Sequence, residues 1–182
     1  MKIPVFVSRP SPHLQAQQQF LSEFTNALTA RGFDPITMGR ESSYDFDAPL
    51  VGIRRLLTHC CGLVSVAFRR TWATDVVKFP LADISGLVEK RQGDVWFTSP
   101  YCQIEPAMAF QLGLPVLILK EEGVVAEGVL EKGVTGLYLP EFQLTDGRSF
   151  IDSSECRSLF DQWGSSVRSV YKRRGDPPKL FD

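Results

Sequence analysis

The alternation of short apolar runs with amphipathic helical segments is the feature that most constrains the fold of this chain. Ile3 to Ser8, Phe33 to Met38 and Leu63 to Phe68 are short and rich in β-forming residues. The third run is apolar enough to be buried on both faces, as strands of parallel sheets are. Strands that alternate with helices predict an α/β fold, with helices on both faces of a parallel sheet.

Helical periodicity identifies the segments between these strands. The first helix ends at Gly32, and a second ends before Gly62. The apolar face of the first helix consists of Leu14, Phe20, Leu21, Phe24 and Leu28, and that of the second consists of Leu50, Ile53, Leu56 and Leu57. We therefore expect both helices to pack against the sheet.

The C-terminal half continues the alternation. A helix from Gln103 to Leu112 precedes a buried strand from Val116 to Leu119, and Thr135 to Leu139 is the predicted fifth strand. Ala126 to Lys132 is predicted as a short helix, and Phe142 to Phe150 as a loop or hairpin.

A final helix is expected from Asp152, with Asp152 and Glu155 spaced as a capping box. Its apolar stripe consists of Cys156, Leu159, Phe160, Trp163, Val167, Val170 and Tyr171. This stripe is typical of a helix that packs on the core.

Residues 69–98 interrupt the alternation with a long insert. Ordered insertions of this length are usually functional lids or binding loops. We expect a short helix from Ala82 to Lys90 within it. Gly39 to Ala48 is polar and rich in turn formers, so it is predicted as a surface loop at the border of a site.

Length and composition narrow the class of protein. A chain of 182 residues favours one domain spanning residues 1–182, and a net charge of −1 does not suit a nucleic-acid binder. Four cysteines without a CxxC pair and two histidines predict neither a metal site nor a disulfide framework. The N-terminal sequence has no signal-peptide pattern, and no apolar run is long enough to span a membrane. We therefore expect a reduced, cytoplasmic protein.

Several catalytic motifs are absent from the sequence. It contains no GxGxxG after the first strand, no GxxxxGK[ST], no HExxH and no GxSxG. Dinucleotide redox chemistry, P-loop phosphoryl transfer, zinc proteolysis and esterase chemistry are disfavoured. His13 and His59 are isolated histidines, for which a structural role is more common than a catalytic one.

Glu105 is the main candidate for a functional acid. It precedes Pro106, and a residue before proline is disfavoured in the α region, so Glu105 is predicted in the opening turn of its helix or at a kink. Free backbone N–H groups and the positive end of the helix dipole would then lie near its carboxylate. The alternative is an ordinary helix-start carboxylate that stabilises the helix by roughly 0.3–1 kcal/mol.

Further candidates follow from the sheet. In open parallel sheets ligands bind beyond the carboxyl ends of the strands, where Arg9, Arg69 and Arg70 are predicted. These arginines would either grip phosphates or pair with nearby acids such as Asp45 and Asp47. The aromatic candidates Trp72, Trp96 and Tyr101 would either stack on a nucleobase or anchor their own loop.

Several segments together resemble a known superfamily. They are Val5–Ser8 as a first strand ending in serine, the helix to Gly32, the strand Leu63 to Phe68, and the sequence Ser-Pro-Tyr-Cys-Gln-Ile-Glu from Ser99 to Glu105. The last is similar to the pattern S-x-W-C-x-x-E of Toll/interleukin-1 receptor (TIR) domains, with Tyr101 in the tryptophan place. Residues 109–116 resemble the helix and strand that follow the catalytic glutamate of nucleoside 2-deoxyribosyltransferases, which belong to the same superfamily.

The resemblance covers roughly Ile3 to Leu139 and has departures. Ser99–Cys102 replace the aspartate and the glycine-threonine that precede the deoxyribosyltransferase glutamate. Pro106 and the long insert are unusual for TIR domains.

The resemblance implies a flavodoxin-like three-layer fold with a five-stranded parallel sheet and a C-terminal helix. It also implies cleavage of an N-glycosidic bond in a nucleotide, with NAD hydrolysis or cyclisation as the leading interpretation and Glu105 as the catalytic carboxylate. The implied substrate contacts are Ser8, Arg9, Arg69, Arg70, Trp72, Ser99 and Tyr101. Alternatives are a nucleoside 2-deoxyribosyltransferase or nucleotide N-glycosidase, and a non-catalytic nucleotide-sensing or protein-interaction module.

The same resemblance sets expectations for partners. The expected partner is a small-molecule nucleotide, with NAD as a substrate and no cofactor or metal. Self-association of the TIR type is a further expectation, and neither nucleic acid nor membrane is expected to bind.

Overall fold

The computed structural model describes residues 2–38, 48–135 and 139–173. Most of the predicted surface loop from Gly39 to Ala48 lies outside these residues, as does the middle of the predicted strand from Thr135 to Leu139. No helix in the described segments is long and apolar enough to cross a membrane.

The centre of the molecule is a five-stranded parallel sheet, as predicted. The strands of the chain are β1 (Ile3–Ser8), β2 (Phe33–Ile36), β3 (Leu63–Ala67), β4 (Thr71–Lys78), β5 (Lys90–Phe97), β6 (Val116–Glu121) and β7 (Glu141–Phe142). The central sheet has the order β2-β1-β3-β6-β7. Its fifth strand, β7, begins after the predicted strand and is short, pairing Lys120 and Glu121 of β6 with Glu141 and Phe142.

Helices cover both faces of this sheet. They are α1 (Gln15–Ala30), α2 (Pro49–His59), α3 (Tyr101–Gln111), α4 (Gly147–Asp152) and α5 (Ser154–Lys172). Because side chains alternate along a strand, Val5 and Val7 of β1 pack with α1 and α5, whereas Phe6 packs with α2 and α3. The model therefore has the flavodoxin-like α/β layout with a C-terminal helix that the sequence predicted.

The start of α5 differs from the prediction. Ser153 is the N-cap, and its hydroxyl accepts a hydrogen bond from the Cys156 backbone N–H at 3.1 Å. Asp152 instead ends α4, where its carboxylate accepts a hydrogen bond from Arg148 Nε at 2.7 Å. The predicted apolar stripe of this helix does lie in or against the core.

The region from Val125 to Phe150 also departs from the sequence prediction. The expected helix from Ala126 to Lys132 is a short 3-10 turn at Gly128–Leu130. The expected loop or hairpin from Phe142 to Phe150 contains a 3-10 turn and the start of α4.

The insert forms an antiparallel hairpin of β4 and β5, which we call the hairpin (residues 71–97). The expected helix from Ala82 to Lys90 is absent, since these described residues form turns and irregular backbone before β5. Within that range Gly86 has left-handed backbone at φ 88°, which a right-handed helix excludes. The hairpin base joins the body through a bridge between Trp96 and Val124.

Candidate functional site

Glu105 lies at the carboxyl edge of the central strands. Helix α3 begins at Tyr101, two residues before the predicted start, so Glu105 is its fifth residue and lies just beyond the first turn. Pro106 follows inside the helix and has no N–H to donate to the Cys102 carbonyl. The side chain of Glu105 is therefore fixed by a helix that packs on β1 and β3.

The carboxyl group of Glu105 is buried, and its surroundings differ from those of an ion-paired acid. The residue is 6% exposed, and burial raises its pKa from 4.5 to about 7. The Ser8 hydroxyl opposes this shift because it favours the ionised carboxylate, but its effect is smaller than that of burial. Among the described residues no cationic side chain pairs with Glu105. A substantial fraction of this acid is thus protonated at neutral pH.

Buried hydroxyl groups lie next to Glu105 and Cys102. Ser8 is 1% exposed, and Ser8, Ser65 and Thr98 contact the Cys102 thiol closely enough to lower its pKa. Their hydroxyl oxygens nevertheless make no hydrogen bond of acceptable geometry with the described residues. Burial dominates and raises the pKa of Cys102 to about 11, so the thiol stays protonated and is unsuited to act as a nucleophile at neutral pH.

Three of the predicted site residues, Arg70, Ser99 and Tyr101, lie together at the N-terminus of α3. The Ser99 hydroxyl accepts hydrogen bonds from Arg70 Nη1 at 3.1 Å and from the Tyr101 backbone N–H at 3.3 Å. Ser99 is buried, whereas Arg70 and Tyr101 are exposed. An exposed guanidinium is therefore held beside the start of the helix that carries Glu105.

Arg69 is engaged in structural contacts. Its backbone N–H donates to Glu121 Oε2 at 2.8 Å, and its Nε donates to the Glu122 carbonyl at 2.6 Å. Its guanidinium lies 6.0 Å from the ring centroid of Trp96. Arg69 pairs with Glu121, whose Oε1 lies 3.8 Å from its Nε. Asp45 and Asp47, the aspartates considered from the sequence, lie outside the described residues.

Trp72 and Trp96 contact each other at the base of the hairpin. Their ring centroids are 4.7 Å apart, with an interplanar angle of 77°. This edge-to-face pair supports the interpretation of both side chains as local anchors.

Arg9 lies apart from the other candidates. It lines a surface cavity of about 370 Å³ together with Val7 and residues of α1 such as Leu21, on the α1 side of the sheet. A second cavity of about 510 Å³, which we call the α3 cavity, has Thr98, Ser99, Pro100, Gln103 and Ile104 on one side. Glu105 lines neither of these cavities.

Two residues of the carboxyl edge escaped the sequence reasoning. Gln17 is fully buried in α1, and its amide donates to the Arg69 carbonyl at 3.1 Å. It lies three positions before Phe20, so helical spacing alone places it on the buried face. Ser65 is the polar residue within an otherwise apolar strand. A polar residue in such a strand indicates a buried polar group, as the helical spacing of Gln17 does.

No metal site is apparent in the described part of the chain, where no group of three His, Cys, Asp or Glu side chains is placed to bind an ion. All four cysteines lie in the described segments, are buried, and form no disulfide.

Similarity to known proteins was found in the comparison of structures and not in the comparisons of sequence. No family model and no curated protein sequence matches the chain. A CMP N-glycosidase from Clostridium botulinum, BcmB, aligns with a TM-score of 0.46 at 12% identity, covering 82% of this chain and 98% of that one. The TIR domains of the Roq1 resistosome align with a TM-score of 0.40 at 12% identity, covering 98% and 94%.

A diflavin flavoprotein from Nostoc, A3, aligns comparably, with a TM-score of 0.41 at 13% identity over 96% of each chain. Proteins of different activities thus align with this chain at similar scores. The function therefore has to be argued from the site itself.

Proposed function

We propose that this protein cleaves the N-glycosidic bond of a nucleotide and that Glu105 is its catalytic carboxylate. The observation that carries the proposal is a buried carboxyl group at the carboxyl edge of a parallel sheet, without a cationic partner among the described residues. The carboxyl edge is the usual ligand-binding region of such sheets.

The chemistry follows from the charge of the transition state. When the bond between ribose and base breaks, the sugar acquires oxocarbenium character and positive charge. A carboxylate held in a poorly solvated position interacts strongly with that charge, either electrostatically or by forming a covalent bond to the sugar carbon. In the described part of the chain, Glu105 has no cationic partner that would weaken this interaction.

NAD is the leading substrate in this proposal. Its nicotinamide ring is already cationic and leaves as a neutral molecule, so no general acid is required. A positive ring beside Glu105 would also favour the ionised carboxylate and lower its pKa. Arg70, held by Ser99 at the N-terminus of α3, is the candidate group for a substrate phosphate.

A second candidate is base release or deoxyribosyl transfer from a nucleoside or nucleoside monophosphate. The observation that favours it is the pKa of Glu105 near 7, which leaves part of the carboxyl group protonated at neutral pH. A protonated carboxyl group can donate its proton to a neutral leaving base.

The deciding experiment compares products from three substrate classes. Purified protein is incubated with NAD, with nucleoside monophosphates, and with deoxynucleosides in the presence of an acceptor base. Nicotinamide release supports the leading proposal, and release or exchange of a free base supports the second. Glu105→Gln should lower turnover by about 10²–10⁴-fold, while Glu121→Gln, which alters another buried acid, should retain it.

The pH profile separates the two roles of the acid. If ionised Glu105 stabilises the sugar cation, kcat/KM rises with pH through the pKa of the free enzyme, which is about 7. If protonated Glu105 donates to the leaving base, kcat/KM falls over the same interval. Nucleotide binding in calorimetry without turnover of any substrate would instead support the non-catalytic sensing module.

A further inference from the structure

The turn region of the hairpin exposes an unusual amount of apolar surface. We call residues 79–88 the hairpin tip. Large apolar side chains exposed along it are Phe79, Leu81, Ile84, Leu87 and Val88, and Leu81 is 90% exposed. Single exposed apolar residues are ordinary, but a contiguous group of this kind marks an interaction surface.

The backbone of the hairpin tip presents these side chains in a strained conformation. Phe79 and Leu81 have φ values of 56° and 58°, a region that bulky L-residues rarely occupy. Such outliers cluster at ligand clamps and other functional positions. The strain therefore supports a binding role for the hairpin tip.

Basic side chains surround the base of the hairpin tip. Lys78 of β4 lies directly opposite Lys90 of β5. Arg91, the next residue along β5, lies 3.8 Å from the carboxylate of Glu89. Like charges that face each other across two strands are destabilising. An acidic group on a docking partner would remove this repulsion.

The strand edges are less suited to docking than the hairpin tip. The pairing of β4 with β5 is interrupted by register shifts near Val76, and Asp75 and Asp94 place charges along the strands. Bulges and charged residues of this kind oppose pairing with a further strand.

The α3 cavity provides a surface of matching chemistry on the same chain. Its apolar lining consists of Phe97, Pro100, Ile104, Val125 and Leu130, and Glu127 also lines it. Arg70 lies beside it through its hydrogen bond to Ser99. The cavity thus offers an acid, Glu127, for the basic residues of the hairpin.

A hairpin tip cannot reach the α3 cavity of its own chain. Thr71 and Phe97, at the base of the hairpin, line that cavity. Each strand of the hairpin has eight residues and rises about 3.3 Å per residue, which places the hairpin tip roughly 25 Å from the base. A hairpin tip bound in this cavity therefore has to come from another molecule.

We infer that the hairpin tip of one copy of this chain docks into the α3 cavity of a second copy. The two surfaces differ, so the contact is heterologous and generates rings or open filaments, not a closed two-fold dimer. The inference rests on the hairpin and the α3 cavity, and it does not depend on the chemistry proposed for Glu105.

The first test measures self-association of the full chain by sedimentation velocity over a concentration series up to about 1 mM. The wild-type protein is expected to form species larger than a dimer as its concentration rises. The double variant Leu81→Asn, Ile84→Asn should lose them, and asparagine suits the left-handed backbone at position 81. Phe110→Asn is the matched control, because Phe110 is 61% exposed on α3 but lies outside both surfaces.

The second test mixes two variants. Ile104→Asn alters the α3 cavity and leaves the hairpin tip intact, and its fold is checked by circular dichroism. Alone, this variant and the hairpin-tip double variant should each be monomeric. Mixed, they should form a one-to-one dimer and nothing larger, because one intact surface remains on each partner. The charge exchange Lys90→Glu with Glu127→Lys should restore association that either change alone weakens.

Three results would overturn the inference. They are a wild-type chain that stays monomeric across the whole series, a hairpin-tip double variant that assembles as the wild type does, and a mixture of variants that forms no dimer. An effect of Phe110→Asn equal to that of the hairpin-tip double variant would also count against it, since it would indicate nonspecific apolar association.

Discussion

Glu105 and Glu121 are two buried acids at the same edge of the sheet, and their surroundings differ. Glu121 is 5% exposed at the end of β6, and Glu105 is 6% exposed in α3. Glu121 accepts a hydrogen bond from the Arg69 backbone N–H, lies 3.8 Å from Arg69 Nε, and is further stabilised by Gln17. Within the described segments, the group that favours the ionised form of Glu105 is the hydroxyl of Ser8.

This difference separates a structural acid from a candidate catalytic one. Burial raises the pKa of both carboxyl groups, so burial alone does not distinguish them. The hydrogen-bond and ion-pair partners of the two carboxylates do distinguish them. A carboxylate that already pairs with a cation and accepts hydrogen bonds within the protein interacts only weakly with a ligand. Replacing the two acids in turn should therefore affect turnover and stability differently.

The largest expected effect is on turnover by Glu105→Gln. We expect kcat to fall by about 10²–10⁴-fold with a small change in KM, since the carboxylate interacts with charge that develops in the transition state. Steady-state kinetics with the substrate that the product experiment identifies measures both kcat and KM. Retention of wild-type kcat would remove Glu105 from the mechanism.

The second prediction concerns the pH dependence of stability. Because the folded-state pKa of Glu105 is about 7 against 4.5 in the absence of the fold, the native protein binds the proton more tightly than the unfolded chain. The free energy of unfolding should therefore fall as pH rises from about 4.5 to about 7, by up to about 3 kcal/mol from this group.

Urea unfolding at pH 5 and pH 8 measures this change. Glu121 adds to it with the same sign, because its pKa is also raised. The decline should be smaller in Glu105→Gln, and an equal decline in that variant would contradict the assignment of the titration to Glu105.

The third prediction compares replacement of each acid by leucine. Glu121→Leu should lower the free energy of unfolding at pH 7 by about 1–3 kcal/mol, because the buried N–H of Arg69 loses its acceptor. Glu105→Leu should leave it unchanged or raise it, because no ion pair is lost and a desolvated acid is removed. Chemical unfolding of both variants checks this, and losses of equal size would show that Glu105 is also a structural acid.

The smallest expected effect comes from Ser8. Removing its hydroxyl in Ser8→Ala should raise the pKa of Glu105 further, because that hydroxyl favours the ionised form. The inflection of the pH–rate profile should move to higher pH. Ser65→Ala is the control, since Ser65 contacts Cys102 but does not affect Glu105, and a shift of equal size in both variants would argue against a specific effect.

Local signals predicted the secondary structure where the period was strong. Phe20, Phe24 and Leu28 lie in the core of the protein at their predicted helical spacing, and the residues from Leu63 form the buried central strand β3. The prediction of secondary structure failed where backbone strain or tertiary contacts determined the local conformation. The predicted helix from Ala82 to Lys90 is instead the turn region of the hairpin, where Gly86 has left-handed backbone.

The candidate site shows the same division. Sequence reasoning selected Glu105, Ser8 and Arg70, and the structure brings Ser8 to Glu105 and Arg70 to Ser99. It did not foresee that Arg69 pairs with Glu121 or that Arg9 lines a cavity on the α1 side of the sheet. These outcomes depend on which side chains meet across elements distant in the chain.

The amino-acid sequence by itself determined the alternation of strands and helices, the parallel sheet and the carboxyl edge at which a site would lie, because apolar periodicity and turn residues act over a few neighbouring positions. Only the tertiary structure decided that Glu121 is buried beside the cation of Arg69, whereas Glu105 is buried with no cation among the described residues. The physical reason is that desolvation and charge pairing depend on atoms brought together by folding, and distance along the chain does not reveal them.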